Sequence, residues 1–135
     1  MVSYNQDNIV AIATPPGISA LAIIRLSGKS LKKEFKLFTK KNPKNRFALF
    51  SKLYHPKNKK ILDEVIITYF KSPKTYTGED VIEISCHGGE TIKKIILNAA
   101  IDVGFRLALP GEFSFRAFIN GKINLKKKWR TILWS

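Results

Sequence analysis

Period-two alternation first becomes clear at 19–27. There Leu21, Ile23 and Arg25 fall on one side of an extended chain, and Ala22, Ile24 and Leu26 fall on the other. The pattern predicts a strand ended by Gly28. Before it lies a short apolar run, Ile9–Ala13, stopped by Thr14-Pro15-Pro16-Gly17, whose prolines and glycine force a turn. After it, the period changes to that of a helix. Ser30 reads as an N-cap, with Leu31, Phe35 and Phe38 spaced along one face. Two further strands, 47–54 and one within 61–70, flank a Pro/Asn/Lys turn at 55–60 and predict an antiparallel hairpin. A loop over 71–78 leads into a strand at 80–86, closed by His87-Gly88-Gly89. The strongest helical signal covers 90–103. Ile92, Ile95, Ile96, Ala99 and Val103 should point inward, Lys93, Lys94 and Asn98 outward, with Gly104 just past the end. A short strand at 105–109, a Pro110-Gly111 turn and a helix at 112–120 complete the described pattern.

Irregular alternation of strands and helices around a hairpin favours an α+β fold with a mixed, mainly antiparallel sheet and two to three helices. Neither an internal repeat nor a domain linker is visible. The chain has 135 residues, 44% of them hydrophobic, enough for one domain with a real core. A lone Cys86 builds no disulfide framework, so a reducing, cytoplasmic setting is expected. The polar start at 1–8 lacks the pattern of a signal peptide, and no apolar run is long enough to span a bilayer, so no membrane partner is expected. The 24 Lys+Arg against 10 Asp+Glu change the picture more, because a net charge of +14 favours polyanions or an anionic ligand. The same excess fits a plain lysine-rich surface, and the lysines fall in short scattered clusters without a basic motif interleaved with aromatics.

Several kinds of chemistry are excluded by pattern. Neither a G-x-x-x-x-G-K-[ST] phosphate loop nor a G-x-G-x-x-G after a strand occurs, and one cysteine with two distant histidines has no metal-ligand spacing. Cys86 and His87 adjoin in sequence, but neighbouring strand residues face opposite ways, which argues against a nucleophile–base pair. Arg25 and Glu83 are the candidates. Each sits in an apolar strand, where an unpaired charge is costly. They pair with each other as a structural salt bridge, lie on a solvated sheet face, or hold a ligand; the pattern alone leaves these open. Glycine-bearing connections at 14–17, 77–80, 87–89 and 110–113 add backbone that a ligand can approach closely. Gly88-Gly89 also precedes the amides of the long helix, which favour an anion.

Three blocks carry a family resemblance. Residues 7–17 with Ile23-Ile24-Arg25-Leu26-Ser27-Gly28, then Tyr76–Glu83 with His87-Gly88-Gly89, then Pro110–Lys122, together resemble the N-terminal part of the MnmE (TrmE) family of tRNA-modification GTPases. The blocks occur in order from Asp7 to about Leu125. The resemblance implies a folate-binding, dimerising domain over 1–125, followed by a divergent tail over 126–135. It implies 5-formyltetrahydrofolate, or a related tetrahydrofolate, as cofactor, with Arg25, Glu83 and Lys122 as the cofactor-binding positions and none of them catalytic. It also implies a homodimer acting with tRNA and an MnmG-type flavoprotein in wobble-uridine modification. The family's helical and GTPase modules have no counterpart in this sequence, so no GTP site is expected. Asn124 stands where the family has an acidic residue, and Lys126–Ser135 departs from the helix expected there. Two alternatives follow: a truncated remnant without function, and a basic RNA-interaction module that binds no folate.

Overall fold

A computed structural model describes residues 7–13 and 21–121. Within them the chain runs β1 (Ile9–Ile12), β2 (Leu21–Gly28), α1 (Lys32–Thr39), β3 (Ala48–Tyr54), β4 (Ile61–Phe70), β5 (Asp80–His87), α2 (Glu90–Asp102), β6 (Arg106–Leu107) and α3 (Glu112–Ile119). The six strands form one sheet in the order β3-β4-β5-β2-β1-β6. Every pairing is antiparallel except β1 with β6. The expected α+β fold with a mixed sheet and three helices is therefore present.

Alternation decides which face is buried. Ala22, Ile24 and Leu26 of β2 lie in register with Cys86, Ile84 and Ile82 of β5. Ile67 and Tyr69 of β4 continue those rows opposite Ile84 and Ile82. This face packs beneath Leu31, Phe35 and Phe38 of the α1 region and Ile96, Ala99 and Ala100 of α2, forming the main core. On the opposite face, the even–odd rule places Arg25, Ser27, Val81 and Glu83. Helix α3 approaches that second face at its Ser27 end, where Ser27 and Arg116 share Glu79 Oε1.

Three local expectations need correction. Ser30 caps nothing: α1 starts at Lys32 after Leu31, without a side-chain cap. Instead, the Leu31 amide donates to Asp80 Oδ2 (3.0 Å), so a carboxylate from β5 does the work of a local cap. In α2 the buried stripe is rotated from the one read in the sequence. Lys93 is only 5% exposed, whereas Ile95 is 38% exposed. The Lys93 stem lies in the core while its Nζ reaches out to Glu90 (2.6 Å). Finally, the strand expected over 105–109 is reduced to Arg106 and Leu107, which pair with Ile9 and Val10 of the short β1. The turn at 14–17 and the start of the strand at 19–20 lie outside the described residues.

Candidate functional site

Arg25 and Glu83 occupy directly opposed positions of β2 and β5, and the structure brings them together. Arg25 Nε donates to Glu83 Oε2 at 2.8 Å, and Nη2 lies 2.6 Å from the same oxygen. Both side chains are about 30% exposed. Glu83 Oε1 receives no hydrogen bond from a described residue, so one carboxylate oxygen stays available on the open face. Lys122, the third expected position, lies outside the described residues.

The register also gives the surroundings. Ala11 lies across from Arg25 and Thr68 across from Glu83. The next row is Ile23, Ser85, Ile66 and Phe50. Leu21, Phe50 and Ile66 are exposed there. The ion pair thus crosses a flat, largely apolar platform that helix α3 leaves uncovered.

At the other end of this face lies a second cluster that the sequence did not announce. Arg116 is 0% exposed. Its Nη1 donates to Glu79 Oε1 (2.9 Å) and its Nη2 to Asp7 Oδ1 (3.3 Å) and Glu112 Oε2 (3.2 Å). Arg106 grips the same two outer acids in paired contacts, with Asp7 at 2.8 and 2.9 Å and Glu112 at 2.9 and 2.8 Å. Ser27 Oγ adds a bond to Glu79 Oε1 (2.8 Å) and another shared with Thr77 (2.8 Å). Two guanidinium groups thus sit among three carboxylates in the space between β2, the 71–79 loop and α3. Bidentate geometry of this kind fixes orientation as well as charge.

The carboxylates respond as such a site requires. The hydrogen bond from Arg106 holds Asp7 below its ordinary value. Burial pushes the Glu112 carboxyl up, but bonds from Arg106, the Leu109 amide and Arg116 outweigh it and leave the group low. Asp80 behaves alike: burial opposes ionisation, yet the Ser72 and Leu31 amides and the Tyr69 hydroxyl hold the anion. Tyr69 is raised in return, by burial first and then by Asp80.

These contacts explain the glycine-bearing connections differently from a ligand site. The 77–80 turn is tied down by Thr77, Glu79 and Asp80, and by Asn120 Nδ2 donating to Thr77 O (2.7 Å). Gly78 takes φ +81, and a Cβ there would stand 2.7 Å from Asn120 Cβ. Gly111, at φ 76, opens α3. Gly89 precedes α2 with open space where a Cβ would go, and the structure gives it no second role. Cys86 is buried, and burial raises its thiol, with Asp63 adding to the effect. That is the opposite of what a nucleophile needs. Among the described residues no group of His, Cys, Asp and Glu has the arrangement of a metal site. No described helix is long and apolar enough to cross a membrane.

With this geometry established, comparison with known proteins gives a consistent result. Residues 8–122 match the family described as "GTP-binding protein TrmE N-terminus". The chain is 50% identical over 125 residues to the tRNA modification GTPase MnmE of Aliarcobacter butzleri, covering 92% of this chain and 28% of that protein. It is 47% identical over 135 residues to the protein of that name from Fervidobacterium nodosum (93% and 28%). With that from Aquifex aeolicus it shares 49% over 124 residues (89% and 27%). It therefore spans little more than a quarter of the length of these curated relatives. The match begins at the strand that carries Val10, takes in both members of the Arg25–Glu83 pair and ends just beyond α3, so this chain belongs to the TrmE N-terminal family.

Proposed function

We propose that this domain binds a reduced folate, 5-formyltetrahydrofolate or a close relative, on the open sheet face, and that it self-associates as a homodimer. The observation that carries the reading is the partly exposed Arg25–Glu83 pair set in an apolar platform, with Glu83 Oε1 free of described partners. With Oε2 held by Arg25, the Oε1 oxygen is placed to accept an N–H from the amino-pyrimidine edge of a pterin. Ile23, Ile66 and Phe50 offer apolar surface for the ring. Arg25 supplies a cation for a formyl oxygen or a glutamate carboxylate of the ligand, and Lys122 is assigned the same kind of role. The exposed apolar side chains of Phe50 and Ile66 support self-association.

In this reading the domain serves a cytoplasmic tRNA-modification GTPase. That GTPase carries its nucleotide module elsewhere and works on wobble uridines with an MnmG-type flavoprotein. The folate provides the one-carbon unit; the residues described here bind and orient it.

Calorimetric titration of the purified chain with 5-formyltetrahydrofolate tests the proposal. Saturable 1:1 binding per chain, weakened more than about tenfold by Glu83→Gln, is the expected result. Absence of binding by a cooperatively folded chain, or affinity unchanged in Glu83→Gln, overturns it. Sedimentation equilibrium tests the dimer, and a monomer at all accessible concentrations counts against that part.

A further inference from the structure

On the side of the domain away from the Arg25–Glu83 platform, α1 and the turn between β3 and β4 enclose a cleft of about 360 Å³. Its lining is Lys33, Lys36, Leu37, Lys40 and Lys59. Four of the five lining residues are lysines and none is acidic; the wall itself is mostly apolar, built from lysine stems and Leu37. Segments 32–41 and 57–60 together carry eight lysines against one acid, Glu34.

Two of these lysines stand where lysine is conformationally disfavoured. Lys40 closes α1 at φ 61, a position that glycine or asparagine usually fills. Lys59 holds φ 65 in the hairpin turn. Side-chain contacts arrest both: Lys40 Nζ lies 4.0 Å from the centre of the Tyr54 ring, and Lys59 Nζ donates to Pro56 O at 2.9 Å. Strained backbone that keeps a charged side chain at the rim of a cleft points to a use for the charge.

We propose that this cleft is a binding surface for the phosphodiester backbone of RNA. Lys33 and Lys36 lie one turn apart on α1 and Lys40 caps its end, a spacing of i, i+3 and i+7 that spans about 10 Å. That span matches about three phosphates along a duplex strand. Lysine ammonium groups are compact point charges that suit phosphate contacts without reading sequence. An anionic membrane fits less well. The apolar side of α1, Phe35 and Phe38, is 2% and 0% exposed in the core, so the helix has no apolar face to insert into lipid. The inference deepens the tRNA part of the reading above by naming a surface for it, and it does not depend on folate binding.

The test uses the full chain, without folate, and fluorescein-labelled bulk tRNA in anisotropy titrations across a salt series. The triple variant Lys33→Gln, Lys36→Gln, Lys59→Gln is compared with Lys71→Gln, Lys74→Gln, Lys94→Gln, which removes equal charge from exposed positions outside the cleft. The cleft variant should bind more than about tenfold more weakly, with a log–log salt slope reduced by about 2–3, while the control loses under about threefold. A Lys36→Arg variant keeps the charge and should keep the affinity. Equal losses in both triples overturn the proposal, since the effect is then net charge alone. Binding of tRNA unchanged in the cleft triple also overturns it, while leaving tRNA as a partner through another surface. Absence of any tRNA binding overturns both the cleft and the direct tRNA contact. Cleft-dependent binding to phosphatidylserine vesicles without cleft-dependent RNA binding replaces RNA with a lipid surface.

Discussion

The substitution Arg116→Met tests most directly how the second face of the sheet is held together. Methionine keeps the length and apolar stem of arginine but removes a charge that is 0% exposed. Asp7 and Glu112 keep Arg106, which binds each of them through two contacts. Glu79 is affected most: it is buried, at 8% solvent-accessible, and it loses its 2.9 Å guanidinium contact. Removing one member of a buried ion pair costs about 3–5 kcal/mol. Because Asp7 and Glu112 keep Arg106 and Glu79 keeps the Ser27 hydroxyl, the lower end, about 3 kcal/mol, is expected here. That is a large share of the roughly 5–15 kcal/mol that stabilises a domain of this size. It corresponds to a fall in Tm of roughly 10–15 °C. Urea denaturation, followed by far-ultraviolet circular dichroism at neutral pH, measures the loss. The double variant Arg116→Met, Glu79→Gln should be more stable than the single one, with a coupling of about 1–3 kcal/mol, because the buried charge that lost its guanidinium contact is gone. A single-variant loss below about 1 kcal/mol, an ordinary surface effect, or additive behaviour in the double variant refutes the argument.

Two further predictions follow from the same anchors. Asp7, Asp80 and Glu112 are all held below their ordinary values of 3.8, 3.8 and 4.5. A depressed folded-state carboxylate stabilises fully above its unfolded value, and the benefit is lost as pH falls through the folded one. The urea midpoint should therefore be flat above about pH 5.5 and drop steadily below about pH 4.5. Glu112→Gln should flatten that drop, and an unchanged acid limb would contradict the assignment. Gly78→Ala places a side chain at φ +81 and against Asn120. It should cost at least about 1–2 kcal/mol from backbone strain alone. Asn120→Gly relieves the clash but also removes the bond to Thr77 O, so in thermal melts the cost of Gly78→Ala should be smaller in the Asn120→Gly background than in the parent, and not zero.

The fold was legible where one periodicity had a single explanation. The faces of β2 follow from strict alternation, and Arg25 was placed on the side of Leu21 and Ile23 by counting alone. Cross-strand register then made Arg25 and Glu83 neighbours, which no property of either segment specifies. The stripe of α2 was misread because Lys93 is amphipathic: its stem packs like an apolar side chain, and a binary pattern assigns it to solvent. Ser30 was misread because its competitor for the α1 cap, Asp80, lies 49 residues from Leu31. The network around Arg116 was missed as a network, although its members stood inside the quoted blocks. A usable signal existed in composition. In a chain with ten acids against 24 basic residues, four acids, Asp7, Glu79, Asp80 and Glu112, fall in or beside turns rather than on exposed helix faces. Acids so scarce and so placed mark internal anion positions.

The contacts of Asp7 bear on the order of assembly. Its partners Arg106 and Arg116 lie 99 and 109 residues further along the chain. The β3–β4 hairpin and its pairing with β5 can be completed by segments close in sequence, so they can form early. The strand that begins at Ile9 has no such local completion on its far side, because β6 and α3 emerge last. Loop-closure entropy for that step is met only when nearly the entire domain is present. During synthesis the first strand therefore waits with one edge unmatched, and the closing of α3 over Ser27 acts as the final latch. A break anywhere between Gly111 and Asn120 would leave the beginning of the domain, not only its end, without its partners.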